Sequence, residues 1–376
     1  MNVGIIGNYG NNNNGDEAIL SGLLHQLTSV GDIKKENIVV FSNNPVNTKQ
    51  RHGVAAFSMI YKEGNIVKSV FKTVRESRKV MQSLDLLIIG GGGLLMDMYK
   101  RDAPLYCVLG LTGKYSGCRV AVHGVGAGPI TTRPGTFFIK KLTHAAATVA
   151  VRDERSKQLL QDIGVKKEVS VINDPAFSIP VQTPHQKSRS IQNVGVTAVP
   201  YFSKRYWPFP DEPKYRKYVY GMAVSLDELV SKKGVNITFF STKYPEDIEV
   251  TKDIAVEMKH SEAVTILEDN FLPGQLTNLA GNQDLVIGTR LHSLILAVNA
   301  ATPVIGIEYH QKVKDFMSAI DKPDYSVPIE DSMTGIVAAF EKAEADWEQL
   351  QANFVKTSAV LREEAREGIR LLGLST

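Results

Sequence analysis

Short apolar runs, several ending in glycine or a basic residue and alternating with amphipathic stretches, restrict this chain to parallel α/β sheets. VGIIG at 3–7, NIVVF at 37–41, LDLLIIG at 84–90, RVAVH at 119–123 and TVAVR at 148–152 are too short for helices and too continuously apolar for half-exposed strands. VSVIND at 169–174 closes the series. Prolines, serines and polar residues between 176 and 193 then break the periodicity. A second series follows, with runs at 194–198, 235–241, 263–267, 284–288 and 303–308. Strands alternating with helices give parallel sheets with right-handed crossovers. The expected fold class is α/β, with two Rossmann-like domains facing across a cleft. Their bounds are 1–178 and 193–330, joined by a linker at 179–192 and followed by a C-terminal helical segment, 331–376, packing on the body. A length of 376 residues fits two cores better than one.

Open sheets of this kind bind ligands beyond the carboxyl ends of their strands. The most informative such end is GTRLHS at 288–293. Thr289 reads as the N-cap of a helix whose inner stripe is Leu291, Leu294, Ile295 and Val298. Arg290 and His292 fall in its first turn, where a cation opposes the helix dipole by roughly 0.3–1 kcal/mol. A bound anion would reverse that sign, because free amides, a guanidinium and an imidazole would all face it. The bland alternative is a surface arginine and a satisfied core histidine. His123 ends the run 119–123 and Arg152 ends the run 148–152, which puts two more basic groups at strand tips; Asp153 then caps the next helix.

Two glycine-rich turns also sit at strand tips. The loop Asn8 to Gly15 lacks the GxGxxG spacing of a dinucleotide site, and Asp16 and Glu17 behind it would repel a phosphate. Capping is the better role for Asp16. The run Gly90 to Gly93 is open to two readings, a tight packing turn or a backbone cradle for an anion. Candidate anion or acceptor contacts from these turns are Gly10, Asn14, Gly91 and Gly92, with Lys312 beyond the last run. The stretch 201–220, YFSKRYWPFPDEPKYRKYVY, interleaves aromatic and basic residues. Tyr201, Lys204, Arg205 and Trp207 are its acceptor candidates, since aromatic faces suit sugars and cations suit phosphates or anionic headgroups. The same stretch is the expected membrane-facing surface; the alternative is a packed surface loop.

Composition narrows the class. A net charge of +3 without any basic run argues against nucleic acid. The two cysteines, Cys107 and Cys118, have no metal-ligand spacing and fit a reducing cytoplasm. No basic n-region opens the chain, and no apolar run approaches the ~20 residues needed to span a bilayer. The expectation is a soluble cytoplasmic protein, with peripheral contact at the inner membrane face and an oligomer both left open.

Six segments together resemble the polysaccharide pyruvyl transferase family: GNYGNNNNGDEAIL, DLLIIGGGGLL, HGVGAGPI, VRDERS, NDPAF and GTRLHSLILAVNAATPVIGIEYHQK. They lie in order from the N-terminus to about residue 315, and the last is the most specific. The resemblance implies a GT-B-like architecture, phosphoenolpyruvate as donor and a ketal-linked pyruvate on a bacterial surface polysaccharide or cell-wall polymer. By motif position it implies that His123, Arg152, Arg290, Leu291 and His292 bind the donor or act on it. His292 is the expected general acid, and His123 is assigned to the phosphate. No cofactor or metal is expected beyond phosphoenolpyruvate itself, and the acceptor is expected to be a lipid-linked saccharide. The competing readings are a nucleotide-sugar glycosyltransferase of the same fold, a non-catalytic saccharide-binding protein and, last, an NAD-linked oxidoreductase.

Overall fold

The computed structural model describes residues 1–374, which form two compact units. Met1–Asn11, Asp16–Ser178 and the chain from Arg362 onward make the first; Asn12–Gly15 and Ile179–Leu361 make the second.

The first unit alternates strictly: β1 (Val3–Ile6), α1 (Asn14–Ser29), β2 (Ile38–Ser42), α2 (Pro45–His52), β3 (Ala55–Ser58), α3 (Ile66–Met81), β4 (Leu86–Gly90), α4 (Asp102–Tyr115), β5 (Arg119–Val125), α5 (Arg133–Ala145), β6 (Thr148–Val151), α6 (Glu154–Asp162) and β7 (Ser170–Val171). The sheet is parallel throughout, in the order β3-β2-β1-β4-β5-β6-β7, so the strand order reverses direction between β1 and β4. Two apolar layers cover it. One contains Met81, Leu109, Ile139 and Leu142 from α3, α4 and α5; the other contains Leu20, Leu23 and Leu27 of α1 with Ile369 and Leu372. The helix ends follow local chemistry: Asn44 and Asp153 cap α2 and α6 by accepting the Asn47 and Ser156 amides at 3.1 and 2.7 Å.

The second unit runs β8 (Asn193–Thr197), α7 (Glu212–Lys233), β9 (Asn236–Phe239), α8 (Glu246–Glu257), β10 (Val264–Ile266), α9 (Pro273–Gly281), β11 (Leu285–Gly288), α10 (Leu291–Asn299), β12 (Val304–Glu308), α11 (Gln311–Ala319), β13 (Ser326–Pro328), α12 (Ser332–Ala345) and α13 (Trp347–Glu367). Its sheet is again parallel, in the order β10-β9-β8-β11-β12-β13, with the reversal between β8 and β11. The fold class is thus two Rossmann-like α/β units.

Three details differ from the sequence reading. Residues 179–192 are packed into the second unit. His185 is buried there, its ring nitrogens 3.0 and 3.1 Å from the Gln283 carbonyl and the Gln351 amide oxygen, while Trp347 donates to the Ser188 carbonyl at 3.1 Å. The C-terminal segment is divided, because Trp347 and Phe354 are buried in the second unit and Ala365 and Ile369 in the first. The edge strands β3 and β13 are not among the expected strands, since an edge strand needs neither a two-sided apolar environment nor length.

Gly22 marks where α1 is pressed against the end of the first unit. A Cβ there would lie 1.9 Å from the Pro175 carbonyl oxygen, a backbone atom that cannot swing away. Gly22→Ala is expected to destabilise the protein by about 1–3 kcal/mol, the usual size of an overpacking strain. Urea unfolding is the check, and an unchanged midpoint would mean that the helix can lift off at little cost.

Candidate functional site

Arg152, Arg290 and His292 follow strand ends as the sequence puts them, whereas β5 runs on to Val125 and leaves His123 two residues inside its end; the partners of these groups come from elsewhere in the chain. In the second unit, Thr289 does not cap α10. Its hydroxyl donates to the Thr197 carbonyl at 3.1 Å, tying β11 to β8, and Arg290 occupies the N-cap position with an extended backbone. The N-terminus of α10 therefore lies at the point where the strand order reverses. Leu291 itself is buried.

The Arg290 guanidinium is held in a fork-to-carboxylate pair with Asp247, with Nη2 at 2.6 Å and Nε at 3.2 Å from the carboxylate. Asp247 is fully buried and also accepts the Lys243 amide at 2.9 Å. Burial pushes the Asp247 carboxyl up and would discharge Arg290; their mutual attraction opposes both, and the short bidentate contact is that of a charged pair. An arginine expected to offer its whole fork to a donor thus has one edge committed.

Two lysines join it. Lys243, just beyond β9, donates to the Tyr206 hydroxyl at 2.9 Å and lies 4.3 Å from that ring's centroid, while Arg290 lies 5.6 Å from the same ring. Lys312, in the first turn of α11 after β12, sits 5.2 Å from the centre of the Tyr309 ring. Burial would raise the Tyr309 phenol, yet Lys312 and Arg290 more than reverse this and hold it below its ordinary value. Tyr309 therefore reports a positive potential at this spot. Glu246 approaches Lys243 at 3.8 Å, so three cations stand against two carboxylates. Lys243, Asp247, Tyr206 and Tyr309 were missing from the candidate residues. Lys243 does follow a strand, but Asp247 reads as an ordinary helix-start acid in isolation.

His292 lies beside this cluster on α10. Its Nδ1 is 2.4 Å from where a Cβ on Gly15 would be, so the glycine lets the Asn12–Gly15 segment close over the imidazole. Asn14 is fully buried there, with its amide donating to the Thr242 carbonyl at 2.9 Å and its side chain to Asn270 at 3.2 Å. Its role is to anchor the segment, and its amide is not offered to a ligand.

In the first unit, His123 and Arg152 come from the neighbouring strands β5 and β6. Arg152 lies flat against Gly126, whose absent Cβ would sit 3.1 Å from Nε and Nη2, with Asp153 at 3.5 Å and Asp174 at 3.7 Å. His123 is 1 % exposed, and among the described residues its Nε2 has no hydrogen-bond partner. Burial pushes its pKa down to about 4, so it is a neutral imidazole and not the cation that a phosphate clamp would want. The glycine turns favour packing. The Gly10 amide donates to the Glu17 carboxylate at 2.8 Å; a Cβ on Gly91 would meet Ile19, and one on Gly92 would lie 2.7 Å from Asp16 Oδ1.

The stretch 201–220 is part loop and part helix, since α7 begins at Glu212. Trp207 packs between Tyr201 and Phe202, with ring centres 5.6 and 5.2 Å away. Tyr201 donates to Glu330 at 2.9 Å, Lys204 pairs with Glu212 at 3.4 Å and Arg205 with Glu249 at 3.3 Å. Of this loop, Tyr206 is the side chain found in contact with the cations. Two surface depressions of the second unit, of about 420 and 380 Å³, border α12 and include none of these strand-tip cations.

Two Rossmann-like units with basic groups at their strand tips define a GT-B-like protein. The model of the family described as polysaccharide pyruvyl transferase matches residues 13–311, and the chain belongs to that family. It is thereby a pyruvyltransferase of polysaccharide biosynthesis. The amylovoran biosynthesis protein AmsJ of Erwinia amylovora is 21 % identical over 382 residues, covering 90 % of this chain and 91 % of AmsJ. Among solved structures, the UDP-GlcNAc 2-epimerase of Methanocaldococcus jannaschii matches with a TM-score of 0.65 at 13 % identity, over 100 % of both chains. Anabaena HepE, solved in complex with UDP and glucose, matches with a TM-score of 0.64 at 10 % identity, over 99 % of this chain and 98 % of its own. At such identities the structural matches speak for the fold alone.

The buried His123 carries a pH signature. Its folded pKa of about 4 lies below the ordinary 6.5, so the unfolded chain binds the proton first on acidification. Its contribution is fully present above pH ~6.5 and is lost as pH falls toward ~4, by at most roughly 3 kcal/mol. Unfolding free energies measured across that window should slope less in His123→Leu than in wild type, and equal slopes would place the acid sensitivity elsewhere.

Proposed function

We propose that this pyruvyltransferase uses phosphoenolpyruvate as donor and forms a pyruvate ketal across two hydroxyls of one sugar, releasing phosphate. The acceptor is a lipid-linked saccharide precursor of a bacterial surface polysaccharide or cell-wall polymer. The observation that supports this reading is the cationic cluster of the second unit, where Lys243 and Lys312 stand beside Tyr206 and Tyr309 around Arg290, the N-cap residue of α10. Phosphoenolpyruvate carries a phosphate and a carboxylate on one small frame. Lysine ammoniums suit the phosphate as point charges; the Nη1 edge of Arg290, not used by Asp247, suits the carboxylate. The family resemblance adds His123 and Arg152 to the donor set, with His123 acting as a neutral hydrogen-bonding group.

In this mechanism His292 protonates the donor's methylene carbon, and C2 becomes an oxocarbenium centre. A sugar hydroxyl attacks C2 and gives up its proton, the C2–O bond to phosphate breaks, and phosphate departs with that electron pair. The first hydroxyl's proton restores His292, and the second hydroxyl then attacks C2, giving its proton to the released phosphate as the ketal closes. The positive surroundings stabilise the departing phosphate. In our reading neither a metal nor a further cofactor takes part, and the two free thiols, Cys107 and Cys118, favour a reducing cytoplasm as the working compartment.

Incubation with phosphoenolpyruvate and lipid-linked saccharides should release phosphate and add a pyruvyl mass to the glycan. In heavy water the product methyl group should carry a single solvent deuterium. Sugar transfer from a UDP-sugar, with phosphoenolpyruvate left intact, would overturn the reading.

His292→Gln is expected to lower turnover by roughly two to four orders of magnitude while donor binding persists. Lys243→Ala should instead raise the KM for phosphoenolpyruvate roughly ten- to a hundredfold, as expected for a charge-assisted bond. Steady-state kinetics on the two variants separate the roles, and a wild-type KM in Lys243→Ala would remove that lysine from the donor site.

A further inference from the structure

The first unit carries a surface that the chemistry above does not use. In a parallel sheet every connecting helix begins at the carboxyl edge of the strands, so the N-terminal ends of α3, α4 and α5 share the rim that carries His123 and Arg152. On that rim the apolar side chains point into solvent. Ile66, Val67 and Phe71 in the first turns of α3 are 83, 77 and 74 % exposed. Met98 and Tyr99, just before α4, and Phe137 in α5 are all more than half exposed. Single exposed apolar residues are ordinary; several on adjacent helix starts are not.

Charge accompanies them. The segments 62–72, 98–102 and 131–141 hold eight basic and two acidic residues; without Lys140, which lies against Gly164 beyond the far end of α6, the excess is five on a chain whose net charge is only +3. The remainder of the protein is therefore net negative. In α3, Lys68 and Lys72 stand in the first two turns, Lys72 reaching Glu63 at 3.2 Å, while Arg78 and Lys79 lie in the last turn, away from the rim. Lys141 lies 5.7 Å from the centre of the Phe137 ring. Apolar side chains ringed by lysine and arginine match the headgroup boundary of an anionic bilayer, where the former enter the acyl region and the latter meet phosphates.

We infer that this rim of α3, α4 and α5 docks the protein onto an anionic phospholipid surface. The inference places the membrane-facing element here and not in 201–220, where Trp207 packs between Tyr201 and Phe202 while Ile66, Val67 and Phe71 of the rim face solvent. It also sets the strand tips of the first unit at the bilayer surface, where a lipid-linked saccharide would arrive; that clause alone rests on the proposed function.

Flotation with phosphatidylcholine vesicles, with and without phosphatidylglycerol, tests the inference with no substrate present, so its failure is distinct from failure of the catalytic reading. Wild type should float only with the anionic vesicles, and less as salt rises. Lys68→Ala and Lys72→Ala, the latter at a half-buried position, should each weaken binding about fivefold, and Ile66→Ser combined with Phe71→Ser, both at exposed positions, should abolish flotation. Lys204→Ala with Arg205→Ala should bind as wild type. Failure of wild type to float with phosphatidylglycerol vesicles, or full binding by the Ile66/Phe71 variant, would overturn the inference. So would a dimer in light scattering that the same variant dissociates, since the rim would then join copies of the chain.

Discussion

The candidate site of the second unit depends on one buried carboxylate. Asp247 has no solvent to stabilise its charge, and an isolated buried ion is disfavoured by several kcal/mol. It is satisfied by the Arg290 fork and by the Lys243 amide, so one side chain fixes a guanidinium at the tip of β11 and the backbone beyond β9. Removing either partner of such a pair leaves an uncompensated charge, which is why the geometry is stiff. The excess positive charge then comes from Lys243 and Lys312, which lie beside tyrosine rings.

Close backbone approach is the second constraint. Gly15 and Gly126 do the same thing in different units: each removes a side chain so that a functional group can lie directly on the main chain, His292 in one case and Arg152 in the other. Glycines 91 and 92 look similar in the sequence but are consumed by packing against Ile19 and Asp16. A glycine at a strand tip is therefore ambiguous until the atom opposite it is known.

Opposed environments separate the histidines. His123 is sealed in the first unit with burial favouring its neutral form. His292 is only partly buried, in the first turn of a helix and next to a site rich in cations. Two imidazoles that read alike as strand-tip groups thus have different electrostatic work available to them.

The sequence by itself determined the parallel α/β class, the two series of strands, their break near residue 179 and the family, because buried strands must be short apolar runs and their tips carry the function. It also placed Arg152, Arg290 and His292 just beyond strand ends, which is a matter of counting along each run, but it stopped β5 at His123 when the strand runs on to Val125. Only the tertiary structure decided what those residues touch. Asp247 lies 43 positions from Arg290 and Tyr206 lies 37 from Lys243. Neither separation has a period that a linear pattern could reveal. The same holds for the fate of Trp207, which looked available and is packed, and of Phe71, which follows a helical pattern yet faces water. Side-chain identity fixes what a residue can do, and only the packing of distant segments fixes whether a partner, a carboxylate or solvent stands opposite it.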